Sequence, residues 1–264
     1  MTMRPIGVID SGVGGLTVWQ ELATIMPDEN YLYFGDSGFC PYGSKDVRDI
    51  TRRVTKIVDF LIANRCKIVV VACNAITAAA IAFLRSRYPL PFVGMEPAIK
   101  PALKKTRTNV IGVLATERTL KGDLFSRTKA AYGRGVEVVE QVGHGLVEKV
   151  ESLDFDSQST MAVLRSHIQP MLARNIDVLV LGCTHYPFLQ ASIKRILGDR
   201  IAILNPAPAV AQHTANTLER LRLRRVGHKP PTTSVFYTTG NRDPIERLLA
   251  ILEADRYDVK SIAI

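Results

Sequence analysis

Short apolar runs alternate with stretches of helical period along almost the whole chain. Runs rich in Val, Ile and Leu at 6–9, 31–34, 68–72, 92–94, 110–114, 136–139, 178–181, 202–204 and 234–237 predict β-strands. Helical spacing predicts helices over 16–25, 45–64, 75–88, 120–132, 145–152, 159–175, 188–197, 207–221 and 244–252. Apolar strands separated by helices belong in parallel sheets covered on both faces, which makes the class α/β. Two facing α/β domains, each a mainly parallel sheet flanked by helices, are favoured over one large sheet. The Pro-rich segment Glu96-Pro-Ala-Ile-Lys-Pro101 reads as a crossing point, and look-alike strand-to-cysteine units fall on either side of it. The first domain is therefore expected to comprise residues 1–97 plus 207–264 and the second 98–206, with the chain returning near Asn205-Pro-Ala-Pro208.

Ligands of parallel α/β sheets bind beyond the carboxyl ends of the strands. That rule gathers Asp10-Ser11, Gly35-Asp36-Ser37, Cys73-Asn74, Ala115-Thr116 and Gly182-Cys183-Thr184-His185 at a cleft between the domains. The cleft is the expected active site.

With 264 residues and 47% hydrophobic content, the chain has apolar surface for one large or two smaller cores. Its start, Met1-Thr-Met-Arg-Pro-Ile6, runs straight into a strand pattern without an export signal. The longest apolar stretch, 68–84, is interrupted by Asn74 and Thr77 and is too short to span a bilayer. A cytoplasmic protein without membrane association is expected. Net charge is +9, yet the basic residues are scattered apart from Arg220-Leu-Arg-Leu-Arg-Arg225, near a helix end where they complement the dipole. A nucleic-acid partner is not expected, and the charge equally suits a small anionic substrate. The four cysteines, Cys40, Cys66, Cys73 and Cys183, form no CxxC pair, so no metal site is expected, and in a reducing compartment all are free thiols.

Two of those thiols have matching settings. Cys73 closes the run Lys67-Ile-Val-Val-Val-Ala72 and precedes Asn74, while Cys183 closes Asp177-Val-Leu-Val-Leu-Gly182 and precedes Thr184 and His185. A site flanked by two thiols is equipped to move a proton from one face of a carbon to the other. An unperturbed thiol is only about 3% ionised at pH 7, so it needs a neighbouring base. His185, two residues on, can face the same side as Cys183. Asn74, after a fully apolar strand, has to find partners, and a ligand can supply them. Asp10-Ser-Gly-Val-Gly-Gly15 is a Gly-rich turn whose amides suit an anion. Because Asp10 would repel a phosphate, a carboxylate held by Ser11 and nearby amides fits better; a plain turn capped by Asp10 is the alternative. Cys40-Pro-Tyr-Gly-Ser44 is a turn by composition, with Tyr42, Gly43 and Ser44 able to offer hydroxyls and amides. Cys40 and Cys66 read as structural, as do most of His144, His167, His213 and His228.

Taken together, the motifs resemble those of the glutamate racemases, within the aspartate/glutamate racemase superfamily. The carrying residues are Asp10-Ser-Gly-Val-Gly-Gly-Leu-Thr17, Phe34-Gly-Asp36 with Pro41-Tyr-Gly-Ser44, Val71-Ala-Cys-Asn74 and Leu181-Gly-Cys-Thr-His-Tyr-Pro187, in family order. The resemblance implies racemisation of L- and D-glutamate without a cofactor, supplying D-glutamate for peptidoglycan, by a homodimer. It implies that Cys73 and Cys183 flank the α-carbon, Asp10 assisting the first and His185 the second. Glu151 matches the family's acidic residue near the second cysteine, with Glu148 the other choice. Substrate contacts are implied for Asp10, Ser11, Tyr42, Gly43, Ser44, Asn74, Thr116, Thr119, Thr184 and His185. One departure is Ala75, where the family usually carries threonine; a hydroxyl is lost, the backbone N–H at Ala75 survives to bind substrate, and Thr77 is a possible substitute.

Competing readings are an aspartate racemase, a hydrolase or acyltransferase using Cys183 and His185, and a non-catalytic basic binding protein. The string Gly182-Cys-Thr-His-Tyr-Pro187 favours glutamate, and the hydrolase leaves Cys73, Asn74 and Asp10 without a purpose.

Overall fold

Ten strands build two sheets in the computed structural model, which describes residues 3–133, 135–225 and 233–264; Met1, Thr2 and His228 lie outside the described residues. The strands are β1 (Ile6–Asp10), β2 (Tyr31–Gly35), β3 (Ile68–Val71), β4 (Phe92–Gly94), β5 (Val110–Ala115), β6 (Glu137–Val142), β7 (Val178–Gly182), β8 (Ala202–Leu204), β9 (Ser234–Thr238) and β10 (Tyr257–Ser261). The first sheet has the order β10-β9-β2-β1-β3-β4 and the second β6-β5-β7-β8, and every pairing is parallel. The helices are α1 (Leu16–Ile25), α2 (Val47–Ala63), α3 (Asn74–Arg87), α4 (Ile99–Lys105), α5 (Glu117–Leu120), α6 (Asp123–Tyr132), α7 (Leu146–Glu151), α8 (Gln158–Leu172), α9 (Gln190–Leu197), α10 (Ala207–Arg220) and α11 (Asp243–Ile251).

The alternation of side chains along each strand sorts them into layers. Ile68 and Val70 of β3 join one core, while Val69 and Val71 join another with α2 and α3. In β7, Leu179 and Leu181 face the first of these cores, and Val178 and Val180 face a third with α4. One continuous apolar core therefore touches both sheets and couples the two domains. The chain leaves the first sheet through α4 and returns through α10, which packs against α1.

Sequence and structure differ at three elements. Strand β10 lacks an apolar run because it is an edge strand that buries only Val259. Helix α4 forms across Pro101, which falls in its first turn where the missing N–H has no partner to lose. The helix expected over 120–132 is broken at Gly122, where a Cβ would stand 2.8 Å from the Cβ of Ala78; the glycine lets α3 approach.

Register decides what reaches the cleft. Asp10 pairs with Gly35 and Ile9 with Val71, so Asp10, Asp36 and Cys73 leave the first sheet along one edge. Ala115 pairs with Gly182, so Thr116 and Cys183 leave the second sheet at a common level.

Candidate active site between the domains

Cys73 caps the N-terminus of α3 and Cys183 follows β7, and both line a single pocket. Ser11, Tyr42, Gly43, Asn74, Ala75, Thr116, Val147, Thr184 and His185 complete its wall. Its free volume is only ≈ 10 Å³, about the room of one water molecule. The cleft is thus closed around the thiols.

The Cys73 side is a buried thiol at the positive end of a helix. Its Sγ lies 3.7 Å from the Ser11 hydroxyl. Burial, with the charge of Asp10, pushes its pKa up to about 12, against the smaller opposing effects of the Ile76 amide and Ser11. Asp10 is fully buried; its Oδ1 accepts from the Gly12 amide at 2.8 Å and its Oδ2 from the Thr184 hydroxyl at 3.0 Å. Burial raises its pKa, partly offset by His185 and Gly12. The Asp10–Thr184 bond, with that from the Thr17 hydroxyl to the Thr184 carbonyl at 3.2 Å, ties the two domain edges together.

On the Cys183 side, Sγ stands 3.7 Å from His185 Nδ1, while Nε2 of the same ring meets Glu151 Oε1 at 2.6 Å. That carboxylate oxygen also accepts from the Val13 amide at 2.8 Å. Burial opposes charging of His185, but its bonds to Cys183, Cys40 and Glu151 prevail and hold its pKa well above the ordinary imidazole value. For Glu151, burial favours the neutral acid, and His185 outweighs it, so its pKa is lowered.

The Gly-rich turn after β1 makes this packing possible. A Cβ on Gly12 would fall 1.9 Å from Glu151 Oε1, and one on Gly14 would fall 2.4 Å from His185 Nδ1. Two amides of the turn, those of Gly12 and Val13, are taken by the protein's own carboxylates. The glycines therefore serve the approach of Glu151 and His185.

Other anticipated residues divide by position. Asn74 lines the pocket, its amide 3.4 Å from the Met95 carbonyl and its buried Oδ1 without a partner among the described residues. Tyr42 lines it too, but its hydroxyl donates to Asp36 at 2.6 Å. Asp36 does not face the pocket: it is buried and held by Arg53 at 2.7 and 2.8 Å and by the Thr239 hydroxyl at 2.6 Å. Thr116 faces the pocket and pairs with the Thr119 hydroxyl at 2.9 Å, which leaves Thr119 behind it. Gly43 permits the domains to meet, since a Cβ there would lie 2.8 Å from that of Thr116. Ser44 and Glu148 stand at an outer cavity beside His144, away from the thiols. Thr77 is no substitute for the hydroxyl absent at Ala75: its own hydroxyl accepts from the Met95 amide at 3.0 Å and faces the Val71 carbonyl at 3.4 Å.

Two residues at the site carried no usable sequence signal. Val147 is an ordinary apolar helix residue that forms part of the wall. Cys40, read above as structural, comes within 4.8 Å of both His185 and Glu151 because the short turns at Ser37–Phe39 and Tyr42–Ser44 fold its loop back over the cleft. Burial, offset in part by His185, raises its pKa to about 11.

A pair of parallel α/β domains with two thiols on one closed pocket defines a class of enzyme that works on a single carbon from both faces. Comparison with known proteins narrows the class. The family model for Asp/Glu/hydantoin racemases matches residues 6–214. A glutamate racemase of Roseiflexus sp. (strain RS-1) is 44% identical over 99% of this chain and 97% of its own length. Among solved structures, a glutamate racemase isoform of Bacillus anthracis superposes with a TM-score of 0.87 at 30% identity, covering 99% of this chain and 98% of that one. The Escherichia coli glutamate racemase in complex with L-glutamate and the activator UDP-MurNAc-Ala gives 0.85 at 29% identity, covering 98% of each. The chain belongs to the Asp/Glu/hydantoin racemase family.

Proposed function

We propose that this protein is a glutamate racemase that interconverts L- and D-glutamate without a cofactor, using Cys73 and Cys183 as opposed acid and base. The observation that carries the reading is that the two thiols approach one pocket from different domains. The E. coli neighbour, solved with L-glutamate, supports the substrate.

In the L-to-D direction Cys183 removes the α-proton as His185 holds the proton the thiol has given up. The Cα–H bond breaks and its electron pair is delocalised into the adjacent carboxylate. Cys73, kept protonated by burial, then delivers its proton to the opposite face; the reverse reaction exchanges the two roles. Glu151 fixes His185, and Asp10, linked to Thr184, sets the field at Cys73. Because the α-hydrogen is far less acidic than a thiol, the carbanion depends on oriented hydrogen bonds and exclusion of water. Ser11, Asn74, Thr116, Thr184 and the backbone at Tyr42, Gly43 and Ala75 are the groups we assign to this, with Thr119 supporting Thr116 from behind. The pocket has room for about one water molecule and not for a glutamate, so the domains part to admit substrate and close for chemistry. The units that move are residues 1–97 with 207–264, and 98–206. A homodimer in the cytoplasm, supplying D-glutamate for peptidoglycan, completes the reading. No helix among the described residues is long and apolar enough to cross a membrane.

The test is incubation with L- or D-glutamate in heavy water, following optical rotation and α-deuterium. Inversion with labelling, abolished by Cys73→Ser and by Cys183→Ser, is the expected result. Normal racemisation by both single variants would overturn the two-thiol scheme, and absence of α-exchange in the parent protein would overturn the activity.

A further inference from the structure

Behind the substrate pocket, on the far side of His185, three groups of metal-ligating chemistry converge. One ligand atom each from Cys40, Glu151 and His185 lies within 4.8 Å of the other two. They come from separate parts of the chain: the loop after β2, the last residue of α7 and the turn after β7. Beyond Cys40 and Glu151 is a second cavity of ≈ 320 Å³, bordered also by Ser37 and Glu148 and separate from the thiol pocket.

We propose that Cys40, Glu151 and His185 form a binding site for a soft divalent cation of the zinc class. The donor set is one sulfur, one nitrogen and one oxygen, the mixture that zinc accepts in a tetrahedron, and the adjoining cavity leaves the fourth position to water. Zinc bonds of about 2.0–2.3 Å spread two ligands to roughly 3.4 Å. Glu151 Oε1 and His185 Nε2 now stand 2.6 Å apart, so they separate by less than an ångström to admit the ion, replacing their hydrogen bond with two metal bonds. Cys40 and the imidazole each bind through a lone pair freed by releasing a proton to solvent. The thiolate and the carboxylate together match the charge of a divalent ion, which is what a half-buried cation site requires.

The consequence for turnover rests on the proposed function. An ion on His185 and Glu151 withdraws the partner of Cys183, so the metal is an inhibitor rather than a cofactor, and Cys40 gives the enzyme a sensitivity to metal that Cys73 and Cys183 alone do not.

Zinc titration against a competing chelator, with cobalt(II) as spectroscopic probe, tests the site on the full chain. One ion per chain is expected, with a thiolate-to-cobalt charge-transfer band that Cys40→Ser removes while weakening zinc binding at least about tenfold. Cys66→Ser serves as control and keeps both. On the unmodified protein, zinc should shield Cys40 from alkylation and leave Cys66 reactive once unfolding exposes it. Undiminished binding by Cys40→Ser, shielding confined to Cys73 and Cys183, or no stoichiometric binding would each overturn the site. Zinc bound through Cys40 with racemisation undiminished would leave the site standing and overturn the role given to His185.

Discussion

Replacing Glu151 by Gln removes one charge from the Cys183 side and changes almost no volume. Glu151 Oε1 receives two hydrogen bonds, from His185 at 2.6 Å and from the Val13 amide at 2.8 Å. The amide oxygen can keep the second, so the turn after β1 should hold. What disappears is the charge-assisted bond to a ring that is 1% exposed, opposite a carboxylate that is 20% exposed. Hydrogen bonds to charged groups contribute about 1.5–3 kcal/mol, so turnover that depends on protonated His185 falls roughly ten- to a hundredfold. The pH dependence moves with it. His185 has a raised pKa, so its stabilising contribution is complete below the ordinary imidazole range and is lost as pH rises through the raised value. The pKa of Glu151 is lowered, so its contribution is complete above the ordinary carboxylate range and is lost as pH falls. The pair therefore stabilises at neutral pH and weakens at both extremes. In Glu151→Gln the alkaline limb of kcat/KM moves to lower pH, and the acid-side loss of stability shrinks. Rate–pH profiles in both directions, with thermal unfolding at each pH, measure both effects. An unmoved alkaline limb with kcat within about twofold of the parent would refute the coupling of Glu151 to His185.

Two further outcomes follow from the packing. Gly12→Ala drives a Cβ to 1.9 Å from Glu151 Oε1, so it should reproduce the kinetic defect of Glu151→Gln with unchanged helical content by circular dichroism; parental kinetics would show that the glycine is not needed for this approach. Arg53→Met strands a fully buried Asp36 with only Tyr42 and Thr239 as side-chain partners among the described residues, which should destabilise the protein by about 3–5 kcal/mol; a denaturation midpoint close to the parent would show that the Arg53–Asp36 pair does not hold this part of the fold.

How far a sequence discloses such a site depends on whether the relevant contact is local. Each thiol sits at the end of a strand, and strand ends are visible as breaks in apolar runs, so Cys73 with Asn74 and Cys183 with His185 could be read directly. Parallel pairing then aligns the strand ends within each sheet, while the meeting of Cys73 and Cys183 at one pocket also takes the packing of one sheet against the other. The sites of α4 and β10 were hidden for a different reason: a proline tolerated in a first turn and an edge strand that buries a single side chain both lack the usual pattern. Cys40 was hidden more deeply. Its neighbours Pro41 to Ser44 describe a turn, and nothing in a turn says which helix it will face. Its meeting with His185 and Glu151 joins the loop after β2 to the ends of α7 and β7, so it exists only once the two sheets have packed together. The Gly-rich turn shows the same limit from the opposite side. Its composition suggested free amides for a ligand, whereas the glycines are needed because His185 and Glu151 from the second domain press within van der Waals distance of the backbone. Residues that act through contacts inside one strand–turn unit announce themselves; residues that act across the closed cleft do so only once both walls are present.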